Sequence, residues 1–149
     1  MTADEVEELG RFLTRADLTV ADVAARIGPV IADHGELLPL DLDTALPGVR
    51  EAHLWCFSDG GEPYLLELLP DPGGLPPIPD LVAALGGYQR LLTHGGRPPE
   101  VLFNVGGHGP WGVAVLARLE PPGEDMSQAR VTRLAFRRDP PLMRDDGGA

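Results

Sequence analysis

The chain has 149 residues, 43% of them hydrophobic, and a net charge of −11. That length suits one domain whose core needs no metal or disulfide to fold, and the acid surplus argues against a phosphate-backbone partner. One cysteine, Cys56, excludes an internal disulfide, the acidic Met1–Gly10 start lacks the layout of a signal peptide, and the apolar runs are too short to cross a membrane, so the cytoplasm is the expected location.

Thr2 and Glu5 form a capping-box pattern ahead of Val6, Leu9, Phe12 and Leu13, which predicts a helix over residues 3–14. Thr19 and Asp22 repeat the pattern before Val20, Val23, Ala24 and Ile27, and Gly28-Pro29 ends a second helix over 20–27. A short strand is expected within Glu36–Leu42. His53–Phe57 and Tyr64–Leu69, joined by Ser58-Asp59-Gly60-Gly61, read as a hairpin. This hairpin is expected to bury Leu66 and Leu68 together with Trp55 or Phe57.

Pro70–Pro79 reads as an extended connector, and Asp80–His94 as a third helix weakened at Gly86-Gly87. Val101–Val105, Gly112–Glu120 and Ala129–Arg138 supply three more strands, with Arg133 and Arg137 sharing one face of the last. Together these predict an α+β fold. Its antiparallel sheet would have five or six strands, with two N-terminal helices and one central helix on one face. Residues 1–142 form the expected domain, and 143–149 a frayed tail.

An internal echo joins Asp22–Gly28 to Asp80–Gly86, and Gly60–Tyr64 to Gly107–Trp111. It suggests two diverged halves, each a helix plus a hairpin. All twelve basic residues are arginine, a usage that points to a GC-rich bacterial coding sequence.

Candidate chemistry is sparse. Gly106-Gly107-His108-Gly109-Pro110 is glycine-rich, but a phosphate loop needs a helix after it, and a strand follows here. The four histidines and Cys56 have no metal-ligand spacing, so no metal or cofactor is expected. Arg118, Arg130, Arg133 and Arg137 form a basic stripe. It suits either ion pairing and edge protection or the binding of an acidic group.

Glu5, Glu7 and Glu8 crowd the first helix, and Trp111 sits at a strand start. These eight residues make up the candidate binding surface of a non-catalytic protein-interaction module, such as an immunity protein, adaptor or chaperone. The alternative is a small-molecule site or cofactor-free enzyme, with His53, Tyr64, Glu67 and His108 lining a pocket between sheet and helices.

Overall fold

Two capping boxes start the fold. The computed structural model describes residues 1–58, 61–91, 95–106, 109–120 and 129–141. Helix α1 (Ala3–Phe12) begins where the Thr2 hydroxyl accepts the Glu5 amide and the Glu5 carboxylate accepts the Thr2 amide. Helix α2 (Val20–Ile27) begins in the same way at Thr19 and Asp22. Helix α3 (Ile78–Leu85) has Pro79 in its first turn, where a missing N–H leaves no bond unmade.

Among the described residues, eight strands form a single antiparallel sheet in the order β1-β2-β3-β4-β8-β7-β6-β5. They are β1 (Val30–Asp33), β2 (Leu40–Leu42), β3 (Val49–Cys56), β4 (Pro63–Pro70), β5 (Gln89–Leu91), β6 (Glu100–Val105), β7 (Gly112–Leu119) and β8 (Val131–Asp139). The expected count of five or six is therefore corrected to eight. The two additional strands, β1 and β5, are the two edges of the sheet.

Each additional strand follows a glycine: Gly28, expected only to end a helix, and Gly86, expected to weaken a helix that continues. After Gly28-Pro29 the chain re-enters the sheet as β1. At Gly86 the backbone turns to a φ of 93°, which ends α3 nine residues short of the expected His94, and the chain goes on to form β5. His94 itself, the expected tail at 143–149 and the turn at 121–128 lie outside the described residues.

The expected helix-plus-hairpin halves are also corrected. The chain runs a helix and four strands (α2, β1–β4), then a helix and four strands (α3, β5–β8), and the two meanders meet at β4 and β8. α2 and α3 are both eight residues long and both stop at a glycine, so the helical part of the echo falls on equivalent elements. The other part does not. It aligns the turn before β4 with the turn before β7, whereas β4 occupies the place of β8.

The core lies on one face of the sheet. Strand register sets Leu40, Leu54, Leu66, Phe136, Val115 and Phe103 side by side across six strands. Leu42, Ala52, Leu68, Leu134, Ala117 and Val101 form the next row. Val6 and Leu9 of α1, Val23 and Ile27 of α2, and Ile78 and Leu81 of α3 close over these rows in one cluster. Burying each such side chain contributes about 1.5–3 kcal/mol.

Leu66 and Leu68 are buried as expected, but the aromatic residues of the hairpin are not. Leu54 takes the inward position, so Trp55 faces the helix-free side and is half-buried, while Phe57 is 51% exposed.

Among the described residues, one charged side chain is buried on the helix-covered face, that of Arg138. Its Nε donates to the Leu13 carbonyl at 2.7 Å and its Nη2 to the Arg15 carbonyl at 2.7 Å. Its Nη1 donates to the Pro63 carbonyl and, at 3.0 Å, to Glu62 Oε2. The guanidinium carbon lies 4.1 Å from the centroid of the Trp111 ring. Arg138 thus joins the end of α1, the start of β4 and the start of β7 to β8. Leu13 caps α1 and Arg15 lies in the turn after it, so both carbonyls fall where the helix ladder no longer supplies partners.

The remaining carbonyl there, that of Thr14, accepts the Trp111 amide at 3.1 Å. This contact explains one glycine. A Cβ on Gly109 would lie 1.9 Å from the Thr14 carbonyl oxygen, so only glycine lets this turn reach the helix end.

Two stability measurements check this core. In urea denaturation, Leu66→Ala is expected to cost about 2–5 kcal/mol. Arg138→Lys is expected to cost about 3–5 kcal/mol, because one ammonium cannot reach both the carbonyls and Glu62. A loss under about 1 kcal/mol for Arg138→Lys would show that water replaces these bonds.

Candidate functional site

The helix-free face carries the arginine stripe, and its charges are matched on that face. Arg133 of β8 pairs with Glu67 of β4, and Arg118 of β7 pairs with Glu100 of β6 at 3.3 Å. Arg118 and Arg133 stand opposite each other in the register. Two acids therefore flank two arginines across four strands, which offsets the like-charge contact at the centre. Arg137 pairs with Asp139 at 3.2 Å, and Arg130 with Glu120 at 3.9 Å. This geometry favours ion pairing over a binding stripe.

The acids of α1 lie on the other face of the sheet. Glu5 is spent on its capping box, and the Thr2 amide and hydroxyl hold its carboxyl below the ordinary value of 4.5. Glu7 pairs with Arg11, and Glu8 is exposed. Trp111, half-buried, covers the Arg138 guanidinium and lies 6.3 Å from the Phe57 ring.

The residues of the alternative pocket do not converge. His53 and Glu67 stand opposite each other on β3 and β4, on the helix-free face. Tyr64 stacks on Phe57 at 4.8 Å, at the far end of that hairpin. His108 lies outside the described residues. Burial, with a smaller contribution from Asp33, pushes the Cys56 thiol above its ordinary value of 9.0, which keeps it protonated and poorly nucleophilic at neutral pH. A cavity of about 750 Å³ at the other end of the sheet is lined by none of the four predicted pocket residues. Its lining carries two arginines, Arg50 and Arg130, and two acids, Asp71 and Glu120, so its charge selects no class of ligand.

Sequence reasoning missed the corner built on β1. Four of the five large apolar side chains that are exposed among the described residues lie there: Val30 (40%), Ile31 (66%), Leu37 (74%) and Leu38 (55%). A register shift between Val30 and Ala32 takes Ile31 out of the ladder. Leu37 has a φ of 64°, a conformation that costs a branched side chain on the order of 1–3 kcal/mol. Beside it opens a hollow of about 210 Å³, bordered by Asp33, Glu36, Leu37, Leu38 and Cys56.

Among the described residues, the outer edge of β1 has no neighbour in the sheet. Between Arg26 and Arg50 the chain holds Asp33, Glu36, Asp41 and Asp43 and no basic residue other than His34. That charge run was the one signal of this site available in the sequence.

On the helix-free face, the residue that follows β1 is cross-linked to β2 and β3. His34 Nε2 and His53 Nδ1 each donate to one oxygen of Asp41, both at 2.7 Å. These bonds, His34 first and then His53, hold the Asp41 carboxyl below its ordinary value of 3.8. The ring nitrogens converge on the carboxylate and not on a common point. Among the described residues, no group of three histidine, cysteine, aspartate or glutamate side chains is arranged to hold a metal ion. No described helix is long and apolar enough to cross a membrane. Comparison with known protein families, curated proteins and solved structures yields no match.

The Asp41 bridge makes a pH prediction. A carboxyl held low in the folded state contributes stability above its unfolded value, and that contribution is lost as pH falls through the folded value. Wild type should be more stable than Asp41→Asn at about pH 6, and the gap should narrow toward about pH 3. Urea midpoints at the two pH values measure it. A gap that is constant, or that widens in acid, contradicts the bridge.

Proposed function

We propose that this chain is a non-catalytic protein-interaction module of the cytoplasm, whose β1 edge takes up an extended, basic segment of another protein. The observation that carries this reading is the concentration of exposed apolar side chains on β1 and the turn after it. Such clusters on a soluble chain mark contact surfaces. The mode is strand addition, in which the unpaired edge of β1 supplies backbone bonds and the side chains supply selectivity.

Charge selects the occupant. The corner holds four carboxylates and no arginine, on a chain of net charge −11. A second copy would bring four more acids against them, which charge repulsion disfavours. The hollow bordered by Asp33 and Glu36 has an apolar wall and an acidic rim, a match for the stem and head of a lysine or arginine. The opposite edge differs: β5 presents Gln89 and Arg90, both exposed, and a charged edge discourages pairing.

The test is a synthetic peptide of alternating lysine and valine, with a glutamate–valine peptide as control. Fluorescence anisotropy should show saturable binding of the lysine peptide only. Ile31→Lys and Glu36→Lys should each weaken it at least about tenfold, as should raising salt from about 0.1 M to about 1 M. Equal affinity for both peptides, or variants that bind like wild type, would overturn the proposal. So would a wild-type dimer that Ile31→Lys dissociates.

A further inference from the structure

The helix-free face has an apolar centre of its own. Ala114 of β7 and Ala135 of β8 are 2% and 1% exposed, yet neither belongs to the core cluster on the other side of the sheet. Strand alternation turns them away from the helices, because Val113, Val115, Leu134 and Phe136 beside them face the core. Register sets Ala135, Leu116 and Leu102 side by side in one row. Trp55 and Leu65 stand side by side in the next row, where the exposed Arg137 separates Leu65 from Ala114. Trp55, Leu65, Leu102 and Leu116 are half-buried and likewise stand outside the core cluster. We propose that two copies of this chain pair through these faces, sheet on sheet, as a two-fold dimer. The pairing is independent of docking at β1, because it uses the face of the sheet and not its edge.

Charge points to a second copy as the occupant. A two-fold contact sets a patch against its own copy, so the patch must complement itself. An apolar centre does so, whereas a surface of one charge sign does not. On this face Glu67, Glu100 and Asp139 are paired with Arg133, Arg118 and Arg137 in turn. Asp41, at the β2 margin, is held by His34 and His53. Helix α1, by contrast, carries Asp4, Glu5, Glu7 and Glu8 against Arg11 alone. Two chains of net charge −11 therefore meet with least repulsion through their helix-free faces. A strongly basic or strongly acidic partner would find no surplus of opposite charge there.

The size also fits. Strands β3, β4, β8, β7 and β6 hold between 6 and 9 residues each. At ordinary strand spacing and rise, their common face spans about 600 Å² in projection. A stable interface covers about 800 Å² of accessible surface per partner, and that figure includes side-chain relief. An apolar centre inside a rim of ion pairs is the usual anatomy of such a contact.

Sedimentation velocity of the full chain, from about 1 µM to about 100 µM, tests the dimer. Wild type should reach twice the chain mass at the upper end. Leu116→Glu sets two carboxylates at the centre of the contact and should weaken pairing at least about hundredfold. Urea unfolding checks the fold of that variant. If it does not fold, Leu102→Gln serves in its place and should weaken pairing at least about tenfold. Raising salt from about 0.1 M to about 1 M should leave pairing unchanged or strengthen it, because salt screens the repulsion between two acidic chains. Its effect on the lysine–valine peptide is the opposite.

A monomer at about 100 µM overturns the dimer and leaves docking standing. So does a dimer that folded Leu116→Glu leaves intact, or one that the same rise in salt weakens at least about tenfold, since its contacts would then be ionic. A dimer that Ile31→Lys dissociates overturns both readings.

Discussion

The buried guanidinium of Arg138 is the constraint on which the arrangement of elements depends. A charge removed from water is tolerated only when its donor nitrogens find acceptors, and here each nitrogen has one: the carbonyls of Leu13 and Arg15 at and after the end of α1, the Pro63 carbonyl at the start of β4, and the Glu62 carboxylate. Their positions cannot vary independently. The end of α1 must lie over β8, and the start of β4 must reach the same point, which fixes how the two four-strand meanders meet. Trp111 closes the group from above, and Gly109 admits the backbone that carries it. No buried side-chain nitrogen or oxygen among the described residues is left without a partner.

With the centre fixed, the edges of the sheet follow from chain order. Each meander contributes its first strand as an edge, so β1 and β5 are the outermost strands. Gly28 holds β1 in place, since a Cβ there would lie 1.7 Å from the Asp43 carbonyl oxygen. The neighbouring bonds, Asp43 amide to Pro29 carbonyl and Ala45 amide to Ile27 carbonyl, both 2.8 Å, fasten the entry to β1 against the exit of β2. The helix-free face matches its own charges in ion pairs. At the β1 corner Asp41 is held by His34 and His53, while Asp33, Glu36 and Asp43 stand near the exposed leucines without an arginine in the same stretch of chain.

Much of this fold is legible in the sequence, because its signals are local. The capping boxes at Thr2 and Thr19 locate α1 and α2, and alternation locates β3, β4, β6, β7 and β8. The edge strands are short and follow glycines that mark turns as readily as strand entries, so local pattern does not find them. Arg138 hides in a different way. It neighbours Arg137 and reads as one more surface charge, yet it shares the parity of Leu134 and Phe136, the residues that face the core. Parity was likewise the signal against Trp55, which alternates with Leu54. The β1 corner depends on strand order, which only long-range pairing determines. The sequence shows its acids, but not that an unpaired edge runs beside them.

Hydrogen exchange of the backbone amides addresses the docking edge most directly, because it reports where new strand bonds form. With the lysine–valine peptide bound at neutral pH, the amides of Ile31, Ala32 and Asp33 should exchange more slowly, while those of β5 at the opposite edge should be unchanged. Slowing at β5, slowing confined to the arginine face of β7 and β8, or no slowing at β1 despite saturation would contradict the account.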